Sequence, residues 1–231
     1  VAPASANRRA IPRPTPLVPP VMRATRPEKS MVNATTCTLV PGPPSFLTHR
    51  QMGSTLAPVG ITSKIDDRGI AEVVMDCPPV NALTVAEWFG LADTITALGR
   101  DSAVRVVVLR AEGRGFNAGV DIKEMQATEG FDALVAANRG CAAAFAAVYD
   151  CAVPVVVAVN GFCVGGGIGL VGNADVIVAS DDAIFSLPEV DRGALGAATH
   201  LSRLVPQHMM RTLYYTAQSV DAHTLKQFGS V

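Results

Sequence analysis

The chain has 231 residues, 49% hydrophobic and 17% charged, with a formal net charge of −1, which is apolar enough to build a sizeable core and too weakly charged for a fully disordered chain. A near-neutral balance with 5% aromatic residues offers neither phosphate neutralisation nor base stacking, which argues against a nucleic-acid partner. No apolar run reaches the roughly 20 residues that span a bilayer, so no membrane partner is expected; five cysteines without a C-x-x-C pair make neither a disulfide framework nor a zinc site and read as reduced cytoplasmic thiols.

Two segments differ in character. Residues 1–50 hold six Arg and one Lys against the single acid Glu28, and ten of the 16 prolines. Proline removes donors and breaks helices, so residues 1–55 are expected to form a disordered, polyproline-like leader. A transit peptide, or a start of translation set too far upstream of Met52, is the alternative. Residues 56–231 form the patterned domain.

Ile61 to Asp66 and Ile70 to Met75 read as strands about the turn Asp67-Arg68-Gly69. Thr84 and Glu87 have capping-box spacing at the head of a helical run, TVAEWFGLADTITALGR. VRVVVLRAEG is a strand, FDALVAANRGCAAAFAAVYD an Ala-rich helix, and VPVVVAVNG a second apolar strand. DVIVAS and AIFSL are short strands, THLSRLVPQHMMRTLYYTAQ a final helical part, and SVDAHTLKQFGSV follows it. Strands buried on both faces and alternating with helices define an α/β protein.

Two glycine-rich loops follow apolar strands: RGFNAGVDIKEM, residues 114–125, and NGFCVGGGIGLVGNAD, residues 160–175. Where a strand gives way to a helix, unsatisfied N–H groups can face an anion, and glycine lets the backbone approach a ligand closely. Gly167, Gly169 and Gly172 spell G-x-G-x-x-G. They stand too far beyond the strand end for a dinucleotide site. Tight packing of a glycine-lined helix on a sheet is the other reading of that pattern.

With PPVNAL and FSLPEV, these two loops resemble the crotonase (enoyl-CoA hydratase/isomerase) superfamily over residues 61–231. The resemblance implies a spiral of ββα units, an acyl-CoA thioester substrate with coenzyme A as part of it, no separate cofactor or metal, and a homotrimer or dimer of trimers. It implies that the backbone N–H groups of Val120 and Gly166 polarise the thioester carbonyl, where each donor is worth about 3–4 kcal/mol of barrier. Arg114 and Lys123 match basic positions near the CoA phosphates, or are solvated surface charges. Phe116, Asn117, Ala118, Asp121 and Ile122 match the loop that lines adenine and pantetheine. Glu189 matches one of two catalytic glutamates.

The second glutamate falls on Gly169, which has no acid or base to offer. Plain hydration is therefore disfavoured, and a glycine there is expected to leave room for a bulky substrate. Asp191 is the candidate second carboxylate, or else a surface partner of Arg192 or Arg203; His200 is a weaker candidate. Cys163 lies in the second loop without a base placed by sequence to activate it.

FNAGVDIKEM, NGFCVGGGIGLVGNADVIVAS and LPEVDRGALGAATHLSRLVPQH are similar, more closely, to actinobacterial crotonases of steroid catabolism. These open a ring of a bicyclic CoA thioester hydrolytically. The resemblance also implies C-terminal helices beyond Val231, so the helical part is expected to be truncated. Met209, Met210, Leu213, Tyr214 and Phe228 would then form an apolar surface. A fatty-acid type hydratase or isomerase, and a truncated chain without catalysis, are the alternatives.

Overall fold

A computed structural model describes residues 60–128, 130–192 and 196–231. The expected leader lies outside the described residues.

Hairpin strands β1 (Ile61–Ile65) and β2 (Ile70–Met75) pair antiparallel. The turn between them is tied by the Asp66 carboxylate, which accepts from the Arg68 and Ile70 amides. Helix α1 (Val85–Arg100) opens with the full capping box: Thr84 Oγ1 accepts from the Glu87 amide and the Glu87 carboxylate from the Thr84 amide. Its buried face, Trp88, Leu91, Ala92, Ile95 and Leu98, follows the 3.6-residue period that carries a helix onto a sheet.

Strand β3 (Val106–Ala111) leads into the first glycine loop and the short helix α2 (Ile122–Ala127). Helix α3 (Asp132–Tyr149) packs along α1, and strand β4 (Val155–Val159) follows it. Gly140 permits that helix contact, because a Cβ there would stand 2.9 Å from Trp88 Cβ. Strand β5 (Phe162–Val164), helix α4 (Gly166–Val171) and strand β6 (Val176–Ala179) come next. The large sheet has the order β1-β2-β3-β4-β6, parallel from β2 onward. Strand β7 (Ile184–Ser186) pairs parallel with β5 and antiparallel with β8 (Ser219–Asp221), forming a second, three-stranded sheet. Helices α5 (Glu189–Arg192), α6 (Ala198–Leu201), α7 (Gln207–Thr216) and α8 (Ala222–Gln227) complete the described elements.

Three details differ from the sequence expectation. Strands β2, β3 and β4 are wholly buried on one face only: Val107 and Leu109 are inaccessible, whereas Arg110, on the other face, pairs with Glu72 and Glu112. The final helical run divides into α6 and α7 at Pro206, which has no N–H to extend a helix and disfavours helical geometry just before it. Strands β5 and β8, three residues each, are too short to show a period and exist through β7. Among the described residues no helix is long and apolar enough to cross a membrane.

Candidate active site

Two buried asparagines build the first loop. Asn81 accepts from the Cys77 amide and donates through Nδ2 to Glu112 O and Gly115 O, joining the turn before α1 to the end of β3. Asn117 donates to Asn81 O and accepts from the Gly119 amide at 2.8 Å. Leu83 then brackets Val120: its N–H donates to Gly119 O, and its carbonyl accepts from the Asp121 amide. That register leaves the Val120 N–H turned away from Leu83. Gly119, at φ +87°, occupies left-handed backbone that suits glycine.

The second loop meets the first through β5. Phe162 O accepts from the Phe116 amide and the Val164 amide donates to Asn117 O, so the loops run side by side. Gly166 is the first residue of α4, where an amide has no acceptor within its own helix. A Cβ on Gly119 would stand 3.1 Å from Gly166 N. The Val120 and Gly166 amides thus belong to adjoining backbone segments, the arrangement two convergent donors require.

Glu189 arrives from the second sheet. The Gly165 amide donates to Ser186 O at the end of β7, and Leu187-Pro188 carries the chain into α5. A Cβ on Gly165 would stand 2.9 Å from Glu189 Oε1, so the carboxylate lies against this turn. Its Oε2 is buried and, among the described residues, has no hydrogen-bond partner. Burial pushes the Glu189 carboxyl above its ordinary value of 4.5. A half-buried carboxylate against the Gly165 turn, its Oε2 without a hydrogen-bond partner among the described residues, is equipped to take a proton from water.

Other expected residues separate. Phe116 is wholly buried in the core, so its ring is packing rather than a wall for coenzyme A. Asn117 is equally buried and both ends of its amide are spent within the protein, which makes it a brace of the loop. The Asp121 carboxylate caps α2, accepting from the Lys123 and Glu124 amides. Ala118 is half-buried, and Ile122, Arg114 and Lys123 are exposed along one loop; among the described residues neither cation forms an ion pair. Asp191 is exposed on α5, and no ion pair to Arg192 or Arg203 is formed among the described residues.

His200 belongs to a hydrogen-bonded cluster. Arg203 donates to Asn173 Oδ1, which orients the amide so that its Nδ2 faces Gly169 O and His200 Nδ1. Burial and the nearby Arg203 charge push the imidazole below its ordinary range, so it is neutral near pH 7 and carries its proton on Nε2. Cys163 is inaccessible and burial pushes its thiol up, which removes it as a nucleophile. Of the apolar residues expected at the surface, Leu213 is instead core, and Met209, Met210 and Tyr214 pack against that core. Among the described residues no group of three or more His, Cys, Asp or Glu side chains could hold a metal.

One expectation is overturned. The space above Gly169 is filled by the ring of Phe145 from α3: a Cβ on Gly169 would fall 2.0 Å from its Cζ. Glycine therefore admits an aromatic side chain of this protein, and a glutamate could enter only by displacing it. Sequence reasoning missed Phe145, Asn81 and Trp88, whose Cζ2 would lie 2.8 Å from a Cβ on Gly166.

Comparison with known proteins agrees with this geometry. The enoyl-CoA hydratase/isomerase family model matches residues 66–231. The chain is 77% identical over 173 residues to the (7aS)-7a-methyl-1,5-dioxo-2,3,5,6,7,7a-hexahydro-1H-indene-carboxyl-CoA hydrolase of Rhodococcus jostii, covering 75% of this chain and 67% of that protein. It is 72% identical over 171 residues to the protein of the same name from Mycobacterium tuberculosis, covering 74% and 69%. The crystal structure of an enoyl-CoA hydratase from Mycobacterium smegmatis superposes with a TM-score of 0.71 at 30% identity, over 74% of this chain and 68% of that one. The chain thus spans about two thirds of the length of these relatives. With its ββα spiral and paired glycine loops, the chain belongs to the enoyl-CoA hydratase/isomerase (crotonase) family of acyl-CoA-processing enzymes.

Proposed function

We propose that this chain hydrolytically opens a ring of a bicyclic, steroid-derived acyl-CoA ester. Its 77% and 72% identity to two hydrolases named for a dioxo-indene carboxyl-CoA supports that substrate class. The observation that carries the chemistry is the Glu189 carboxylate, with Oε1 against Gly165 and a buried Oε2 that has no hydrogen-bond partner among the described residues. In this reading the Val120 and Gly166 amides hold the thioester oxygen, and Arg114 and Lys123 meet the CoA phosphates. Ala118 and Ile122 border its pantetheine arm.

Glu189 takes a proton from water as the hydroxyl adds to a ring ketone. The adduct collapses to a carboxylic acid, which ionises to solvent, as the adjacent C–C bond breaks, and the electron pair of that bond spreads into a conjugated carbonyl. The departing carbon then receives the proton, so one water is consumed and no redox partner is required. General base assistance of this kind is worth about 10²–10⁴ in rate. Exposed Asp191 stands outside this scheme. Hydration of linear enoyl esters is disfavoured by Phe145, which fills the place above Gly169 that a second carboxylate would take.

A trimer, or a dimer of trimers, is the proposed assembly; Val176 and Val178, 50% and 56% exposed on edge strand β6, support an apolar contact. Incubation with the bicyclic dioxo ester and with crotonyl-CoA, followed by mass spectrometry, tests the reaction. A product heavier by one water, carrying a new carboxylate, is expected from the first ester alone. Hydration of crotonyl-CoA with the bicyclic ester untouched would reverse the assignment.

A further inference from the structure

Phe145, a partly buried residue, reaches α4 from α3, and its ring stands in the volume that any side chain at position 169 would take. Three ring atoms, Cζ, Cε1 and Cε2, would lie 2.0–2.4 Å from a Cβ there. Position 169 is three residues beyond Gly166 on the same helix, about 4.5 Å along the axis and on the same face. Helical Cβ bonds lean toward the N-terminus, so a group above residue 169 overhangs the turn that bears the Gly166 amide.

The ring is fixed from two sides. Trp88, which packs beneath Gly166, meets it edge to face at 5.8 Å and 86°. His200 meets it at 4.9 Å and 66°. His200 is in turn held by Asn173, whose Nδ2 also bonds Gly169 O. A flat aromatic side chain, held in one orientation beside a candidate carbonyl-binding amide, offers an apolar surface to the carbons that follow that carbonyl. A fused ring covers such a surface, whereas a four-carbon linear chain leaves most of it uncovered.

We infer that Phe145 is a specificity-determining residue, selecting cyclic over short linear acyl groups through the ring it places above Gly169. This rests on the reading of the acyl group as a fused ring and identifies the side chain that would recognise it. One well-filled contact in an apolar pocket is worth about 10- to 200-fold in discrimination.

The test measures binding by titration calorimetry with two unreactive probes, the CoA ester of a saturated hydrindane carboxylic acid and butyryl-CoA. Wild type is expected to prefer the hydrindane ester. Phe145→Ala should lower that preference about tenfold, almost wholly through the hydrindane ester, with butyryl-CoA changed less than twofold. Phe145→Leu keeps apolar volume for folding and should retain part of the preference. Gly169→Ala, which displaces the ring, should lose it, and Gly169→Ala with Phe145→Ala should be no worse than Phe145→Ala alone. A merely structural Phe145 would weaken both probes in parallel with the melting temperature, and that outcome overturns the inference. So does a wild type that binds both probes equally or neither. Failure of the proposed reaction reads differently, as hydrindane preference intact but no water added to the dioxo ester.

Discussion

Glu189 combines two properties that pull against each other. In the proposed reaction its carboxylate serves as the base, a role that suits a pKa raised by burial, and the same burial makes its charge costly. A carboxyl whose folded pKa lies above its unfolded value contributes stability in full below the unfolded value and loses it as pH rises through the folded one. Glu189→Gln should therefore melt higher than wild type at neutral pH, with the gain vanishing in acid below 4.5; differential scanning calorimetry across that range checks the sign. The same variant should lose about 10²–10⁴ in turnover of the bicyclic ester while CoA-ester binding survives. The acid limb of wild-type kcat/KM should have its midpoint above 4.5. Full turnover by Glu189→Gln would move the base elsewhere, with Asp191 the next residue to test.

At the scale of elements, local chemistry was legible where it acts over three or four residues. Thr84 and Glu87 form their capping box as spaced in the sequence, and Thr84→Ala should cost about 0.5–2 kcal/mol in urea unfolding without altering the site. The glycine-rich segments were legible as connections from strand to helix, but strand β5 within the second and the internal bracing of both were not. Asn117 was expected to line the ligand because the resemblance places it in that loop, and a match by position does not report which way a side chain turns. Here it is buried, and its amide spans Asn81 O and Gly119 N. Gly119→Ala should separate folding from function. The added methyl meets left-handed backbone at φ +87° and stands 3.1 Å from Gly166 N. A loss of about 10²–10³ in turnover is expected, with far-UV circular dichroism unchanged; undiminished activity would show that the Gly166 amide is not a donor. Strands β5 and β8 escaped notice because each is three residues inside a run read otherwise, β5 in the second glycine-rich segment and β8 in the segment after the final helical part.

For the whole molecule, the family match begins at residue 66 and the described structure at Gly60. Removing residues 1–51 is accordingly expected to leave melting temperature and turnover within error, and a fall of several degrees would assign that segment a packed role. The sequence alone determined the longer strands and helices, where the two glycine-rich segments fall, and which carboxylate follows the short strand before Pro188. Those features arise from caps, prolines, glycines and apolar periods acting between near neighbours. Only the tertiary structure decided that Phe116 and Asn117 turn inward, that Glu189 lies against Gly165, and that Phe145 rather than solvent or substrate occupies the place above Gly169. Close packing makes each such volume available to a single side chain. Which one takes it depends on how α3, α4 and the second sheet meet, and near-neighbour patterns along the chain do not encode that meeting.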